Sequence, residues 1–190
     1  MKKSIIYFDK PGPENTEETI KAAYERAIEL GIKDIVVASS YGRTALKVIE
    51  YFDVNQFNVV AVTICEGYKD MGWTISKEEK EKLLSKGIKV YTGVHSLDGD
   101  VSSAFAERFK GFSVNEIVTQ TLYRFGQGLK VCVEIVLMAA DAGLIPVDRD
   151  VIAIAGTDRG ADTAIVVKPA YSRKFLELKI KEIIAKPRLF

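Results

Sequence analysis

Residues 36–48 read VVASSYGRTALKV, and within them a run of apolar, β-branched residues gives way to helical spacing. The run DIVVAS, which ends at Ser39, is typical of a buried strand, and ALKVIEYF from Ala45 onward is typical of a helix. Six mostly polar residues, 39–44, form the turn between the two. Strands that alternate with helices across short turns indicate a parallel sheet covered by helices.

The same alternation continues on both sides of this stretch. A helix is predicted before it, with Thr16 as its N-cap and Gly31 as its end. After it come a strand FNVVAVTI, a helix in which Ser76 and Glu79 form a capping box, and a strand KVYTG. These segments are therefore expected to alternate between helix and strand with short connections.

The second half of the chain begins with two predicted helices between residues 93 and 126, one capped by Asp100 and one by Ser113. GLKVCVEIVLMAADAGLI then indicates a central, mostly buried helix that ends at Gly143. Two strands follow, DVIAIAGT and TAIVVKPA, and SRKFLELKIKEIIAK is predicted to be a closing helix. We expect one domain over residues 1–190, a three-layer α/β/α fold around a mostly parallel five-stranded sheet.

The composition narrows the partners that this chain is expected to have. With 27 basic and 26 acidic residues the net charge is +1, which argues against nucleic acid as a partner. No apolar run is long enough for a membrane span, and the N-terminal run that stops at Phe8 is too short for a signal peptide. Cys65 and Cys132 lie far apart without a metal-binding spacing, which favours reduced thiols. A cytoplasmic protein is the expectation.

The turn of residues 39–44 has the composition of a phosphate-binding loop. Hydroxyl donors come from Ser39, Ser40 and Thr44, the backbone can approach closely at Gly42, and Arg43 can contact a phosphate through two N–H groups. The same letters also describe a helix cap made of serines beside a surface arginine. Spacing alone leaves both interpretations open.

Longer stretches around this turn resemble a known family. IVVASSYGRTALKVIEYFDVNQFNVVAVT resembles the C-terminal α/β domain of pyruvate kinase, in which a strand is followed by a T-x-S-G-R-[ST]-A segment, a helix and a strand ending in A-V-T. KVCVEIVLMAADAGLIPVDRDVIAIAGTDRGADTAIVVKPA is similar to the later helix and last two strands of that domain. The chain is similar to the stand-alone, mainly archaeal proteins built from this domain, while residues 66–125 have no clear counterpart in pyruvate kinase itself.

This resemblance implies a sheet with strand order 3-2-1-4-5, the last strand antiparallel, and an effector-type phosphate site. Ser39, Gly42, Arg43, Thr44 and Ala45 match the loop of the family. Tyr41 stands where the family pattern has a loop serine, which argues against a sugar bisphosphate as the ligand. Catalysis of phosphoryl transfer to pyruvate is not implied, because the catalytic barrel of that enzyme alone needs about 250 residues.

In the implied strand order, the first and fourth strands are neighbours and the winding reverses between them, which is where ligands bind in open α/β sheets. The loop GTDRGAD then faces the same crevice as residues 39–44 and supplies Gly156, Thr157, Arg159 and Gly160 as candidate contacts. A glycine-rich turn between two strands also needs no ligand to explain it. Thr63, at the end of the second predicted strand, completes the candidate set.

His95, the only histidine, is the first candidate for an acid or base, because it follows the third predicted strand. With Asp98 and Asp100 it could also hold a metal, but a turn at Asp98 and a helix cap at Asp100 are the simpler interpretation. Glu134, in an apolar helix, is a buried carboxylate with a raised pKa, the partner of Lys130 one turn away, or a residue at the edge of the helix packing.

The segment EGYKDMGWT, with Tyr68, Met71 and Trp73, is unusually apolar for a connecting loop. It is interpreted either as a lid over a planar ring, or as a patch that anchors the loop or meets another subunit.

Three functions remain open on the sequence. The first is binding of a phosphorylated small molecule or mononucleotide, and the second is an enzyme that uses flavin mononucleotide (FMN), with Tyr41 or Trp73 against the ring system. The third is a scaffold role through Phe175, Leu178 and Ile183 of the predicted closing helix. A homo-oligomer is compatible with all three.

Overall fold

The structure of the protein is a computed structural model, and it describes residues 2–190. Seven strands form its sheet: β1 (Ile6–Phe8), β2 (Asp34–Ala38), β3 (Asn58–Thr63), β4 (Lys89–Thr92), β5 (Val151–Ala155), β6 (Thr163–Lys168) and β7 (Lys179–Pro187). The α-helices are α1 (Thr16–Leu30), α2 (Arg43–Val48), α3 (Lys77–Ser85), α4 (Val101–Phe109), α5 (Val114–Tyr123) and α6 (Gln127–Asp141).

The sheet is mixed and has the strand order β1-β7-β6-β5-β2-β3-β4. The prediction of an α/β fold is confirmed, but the prediction of five strands in the order 3-2-1-4-5 is wrong for the sheet as a whole, because two further strands lie beyond β6. Strands β5, β2, β3 and β4 run parallel, and β6 runs antiparallel to β5. β6 is an interior strand, since β7 pairs with it on its other side.

The prediction of a closing helix is also wrong. Residues 172–177 form a short 3₁₀ turn and the chain then enters β7, which pairs antiparallel with β6 and parallel with β1. The segment KIKEII places β-branched residues at Ile180, Ile183 and Ile184, and the irregular register between β6 and β7 disturbs the alternation that normally identifies a strand.

Helices pack against both faces of the sheet, because successive side chains of a strand point to opposite faces. Ile35 and Val37 of β2 belong to a core cluster that includes residues of α1, α2 and α3. Val36, between them, belongs to a second cluster made largely with α6. α6 is buried along most of its length, as the sequence predicted.

Several predicted helix ends are confirmed. Gly31 ends α1 in the left-handed conformation, Ser76 and Glu79 form a complete capping box on α3, and Asp100 and Ser113 cap α4 and α5. α1 differs in detail, because Asn15 and not Thr16 is its N-cap residue. Among residues 2–190, no helix combines the length and the apolar character needed to cross a bilayer.

Candidate functional site

A cavity of about 690 Å³ lies at the carboxyl ends of β2, β3 and β5. Ser39 follows β2, Thr63 ends β3 and Gly156 follows β5, so three neighbouring parallel strands deliver their next residues to one place. This is the position at which open α/β sheets bind ligands. The cavity is therefore the candidate functional site.

The loop of residues 39–44 forms one side of the cavity, and its first serine acts as a cap. Ser39 is buried, and its Oγ accepts a hydrogen bond of 3.1 Å from the backbone N–H of Ala45. Gly42 adopts φ +81°, and a Cβ there would lie 3.2 Å from the side chain of Leu83. The capping interpretation thus holds for Ser39, while Ser40 and Thr44 line the cavity.

Tyr41 connects this loop to the apolar segment of residues 66–73. Its hydroxyl donates a 3.0 Å hydrogen bond to the carbonyl of Gly72, and both residues line the cavity. Residues 66–71 form a 3₁₀ turn that ends at Gly72 in the left-handed conformation. The segment EGYKDMGWT is thus a wall of the cavity and is held by a residue of the opposite loop.

Three stacked rings make up the aromatic part of this wall. Tyr68 lies between Trp73 and His95, with ring-centroid distances of 5.7 and 5.6 Å and interplanar angles of 18° and 17°. Burial lowers the pKa of His95 below its ordinary value, although Glu134 opposes that shift. Burial likewise raises the pKa of Tyr68, with Asp98 adding to the effect. At neutral pH His95 is therefore uncharged and can accept a proton.

An ion pair from α6 lies at the floor of the cavity. Lys130 Nζ is 2.7 Å from Glu134 Oε2, and both side chains are buried. The other carboxylate oxygen, Glu134 Oε1, accepts a 3.0 Å hydrogen bond from the backbone N–H of Leu97. Asp98 approaches Lys130 Nζ to 4.0 Å. The interpretation of Glu134 as the partner of Lys130 is confirmed, and this pair brings charge into an apolar helix.

The loop of residues 156–162 closes the cavity on the side of β5, and its shape follows from its own contacts. The fully buried Asp162 accepts a 3.1 Å hydrogen bond from the backbone N–H of Thr157. A Cβ at Gly156 would lie 2.7 Å from the carbonyl oxygen of Gly160, and a Cβ at Gly160 would lie 2.6 Å from Cα of Pro13. Both glycines are thus required by packing. Arg159 is exposed at the rim.

Some of the charged side chains that line the cavity already have a partner within the protein, and others are exposed. Among the acids, Glu79 serves the capping box of α3 and Glu134 is paired with Lys130. The guanidinium groups of Arg43 and Arg159 are both exposed at the rim, where Arg159 lies 4.0 Å from Asp158. Asp98 and Asp158 also line the cavity with exposed carboxylates, so the charges available at the rim are of both signs, and the two guanidinium groups are the available cations.

Most of the residues that the sequence singled out lie together at this cavity. Its lining includes Ser39, Ser40, Tyr41, Arg43, Thr44, Thr63, His95, Gly156, Arg159 and Gly160. The prediction that Gly42 and Thr157 lie at the site is not matched by the cavity, since neither residue lines it. The buried Thr157 Oγ1 has no hydrogen-bond partner among the described residues. The hydroxyl of Thr63 is already engaged, because its Oγ1 lies 2.7 Å from Thr92 Oγ1.

The metal interpretation of His95, Asp98 and Asp100 has no support in the geometry. Asp100 caps α4 by accepting a hydrogen bond from the backbone N–H of Ser103. Within residues 2–190, no group of three or more His, Cys, Asp or Glu side chains is arranged to hold a metal ion.

Lys130 and Tyr123 also line the cavity and were not predicted to do so. For Lys130 the sequence carried a usable signal, since a lysine and a glutamate four residues apart in an otherwise apolar helix are expected to share one buried face. The sequence gave no such signal for Tyr123, because the position of Tyr123 depends on how α5 packs against α6.

Comparison with known proteins assigns the chain to a family. The sequence model described as "Pyruvate kinase, alpha/beta domain" matches residues 17–167, well over half of the chain. A crystal structure of a pyruvate kinase from Cryptosporidium parvum is 16% identical, with a TM-score of 0.43, and the match covers 82% of this chain and 23% of that one. A structure of Cryptosporidium parvum pyruvate kinase in complex with ADP is 16% identical, with a TM-score of 0.40, and the match covers 80% and 22%. The chain thus spans less than a quarter of the length of these two enzymes.

Proposed function

This chain belongs to the pyruvate kinase α/β domain family, and from its cavity we propose that it binds a phosphorylated small molecule or a mononucleotide, without phosphoryl transfer to pyruvate. One observation carries the proposal. A single cavity at the switch point of the sheet combines exposed guanidinium groups and hydroxyls at its rim with a stack of aromatic rings in its wall.

The phosphate end of the proposed ligand is assigned to the rim. Arg43 offers a fork of N–H donors, Ser40 and Thr44 add hydroxyls from the same loop, and Arg159 supplies a second guanidinium from the loop after β5. α2 has only six residues, so the dipole of this helix is not part of the argument. The side-chain donors are what would select a doubly charged oxyanion.

The other end of the ligand is assigned to the aromatic wall. Trp73 is 46% exposed and forms the outer layer of the three-ring stack, so a planar heterocycle in the cavity would have an aromatic surface to lie against. The volume of about 690 Å³ is within the range of cavities that hold drug-sized ligands. A mononucleotide fits this division into a charged end and a flat end better than a sugar phosphate does.

A second candidate function is an enzyme that uses FMN, and the uncharged His95 beside the same wall favours it. The phosphate of FMN would be held by Arg43, Ser40 and Thr44, and its ring system would lie near Trp73. Bound FMN would supply hydride or single-electron transfer. His95, whose pKa burial lowers, would be uncharged near neutral pH and would accept or return a proton at the cavity.

Binding is tested with the purified protein and a panel of phosphorylated metabolites, mononucleotides and FMN. Because Trp73 is the only tryptophan, its fluorescence reports directly on the wall of the cavity. We expect at least one compound to raise the melting temperature and change the Trp73 emission. An absorption spectrum and mass analysis of the purified protein separate the two candidates, since flavin is yellow and the other ligands are colourless.

The matched variants are Arg43→Ala, which removes a rim guanidinium, and Arg173→Ala, an arginine outside the cavity lining. Arg43→Ala is expected to weaken binding by about 10- to 100-fold, the range for loss of a charge-assisted hydrogen bond. Arg173→Ala is expected to bind like the wild type. Equal binding by the wild type and Arg43→Ala, or no response to any compound, would contradict the proposal.

A further inference from the structure

α4 is a helix without a buried residue. None of its nine residues is buried, and α5 is the helix against which it packs most. A helix of this length is marginal in water unless an apolar face is covered. Val101, Phe105 and Phe109 lie four residues apart, so they form one apolar stripe along α4.

The stripe continues into the turn between α4 and α5. Phe112 and Val114 extend it, and together with the stripe they form what we term the α4–α5 patch: Val101, Phe105, Phe109, Phe112 and Val114. Each of the five side chains is between 62% and 77% exposed. With about 200 Å² for a whole phenylalanine, the patch exposes on the order of 600 Å² of apolar surface. This is as large as the largest apolar patch of an ordinary monomer.

A groove runs through the patch. It has a volume of about 400 Å³ and is lined by Val101, Phe105, Phe109 and Phe112, with Ser102 and Ala106 between them. The rings of Phe105 and Phe109 lie 5.8 Å apart along its side. Exposed rings and the groove that they line therefore occur on the same surface.

We propose that the α4–α5 patch is the contact through which two copies of this chain form a symmetric dimer. A surface that carries both exposed rings and a groove can pack against a second copy of itself, and contacts between identical surfaces close into two-fold dimers. Together with the polar residues around it, the patch has a surface area that approaches the roughly 800 Å² that each partner buries in a stable interface.

The charges around the patch also favour a second copy over a membrane. Glu107 and Arg108 in the last turn of α4 and Lys110 just after it carry both signs, so opposite charges can meet across a two-fold axis. Helices that bind a membrane surface carry an excess of lysine and arginine on their polar face. α4 lacks that excess, having one arginine and one glutamate.

The test is the mass of the protein in solution, measured by sedimentation velocity between about 1 and 100 μM. The wild type is expected at twice the monomer mass. The variant Phe109→Ser/Phe112→Ser is expected to weaken association by about 100-fold or more, because aromatic residues at the centre of an interface carry most of the binding energy. Leu176→Ser is the matched control, since Leu176 is a 94% exposed apolar residue outside the patch.

Circular dichroism checks that the double variant is folded, and Val101→Lys replaces it if it is not, because a lysine there would place a charge within the apolar contact. A monomeric wild type at the highest concentration overturns the proposal, and so does a double variant that remains dimeric. Wild-type protein that is monomeric but sediments with vesicles of zwitterionic and anionic lipids overturns it in favour of a membrane contact.

Discussion

Lys130 and Glu134 pair at 2.7 Å across one turn of α6, and both side chains are buried at the floor of the cavity. This pair places two opposite charges in the part of the molecule where burial is otherwise apolar. The stability of the fold therefore depends on both partners being present.

Replacing Lys130 by methionine leaves Glu134 buried with the Leu97 N–H as its remaining partner. We expect Lys130→Met to lower the free energy of unfolding by about 3–5 kcal/mol, and Lys130→Met/Glu134→Leu to cost less than Lys130→Met alone. Urea denaturation measures both. The control is Lys77→Met, which breaks an exposed pair with Glu81 and should cost about 1 kcal/mol or less. A double variant less stable than Lys130→Met would contradict this reasoning.

His95 should titrate below its ordinary pKa, because burial disfavours the charged imidazolium. As the only histidine, it gives one set of ring signals in an NMR pH titration. Since the unfolded chain takes up the proton first, the contribution of His95 to stability is complete above about pH 6.5 and is lost as the pH falls toward the pKa of the folded state. His95→Gln should therefore lose less stability than the wild type between about pH 7 and pH 5. A midpoint at or above the ordinary value would contradict the structure.

Gly160 is expected to tolerate alanine poorly. Its φ is +74°, and a Cβ would lie 2.6 Å from Cα of Pro13 and 2.5 Å from Oγ1 of Thr16. Gly31 has a similar φ of +67° but no atom within 4 Å of its Cβ position. Gly31→Ala should cost about 1–2 kcal/mol for the left-handed backbone alone, and Gly160→Ala should cost about 1–3 kcal/mol more because of the steric clash. Thermal unfolding compares the two, and equal losses would show that the loop shifts freely.

The attachment of β7 can be tested at Arg26. This buried guanidinium on α1 donates to both carboxylate oxygens of Glu182 on β7, at 2.7 and 2.6 Å. Arg26→Met should lower the free energy of unfolding by about 1.5–3 kcal/mol and speed hydrogen exchange in β7. Lys10→Met, which breaks an exposed pair with Glu14, should change stability by about 0.5 kcal/mol or less. Unchanged exchange in β7 after Arg26→Met would mean that this pair does not hold the strand.

Much of the candidate site could be predicted from the sequence, because the residues of the site follow the ends of strands. Ser40, Arg43 and Thr44 come directly after β2, and Arg159 comes shortly after β5, so the order of elements was enough to bring them together. Gly42 and Thr157 were predicted by the same logic but do not line the cavity. The course of such a loop depends on contacts like the hydrogen bond from the Thr157 N–H to Asp162, and those contacts have no local signature in the sequence.

The sequence by itself determined the alternation of strands and helices, and with it an α/β fold whose polar turns gather at one edge of the sheet. Local periodicity suffices for this, because each strand or helix must bury one face whatever its neighbours are. Tertiary structure alone decided that residues 179–187 form a strand. β7 depends on partners far away in the chain, Ile6–Phe8 and Thr163–Lys168, and β1 has only three residues to identify it. Strand pairing over such separations is a property of the folded chain, which short-range patterns do not encode.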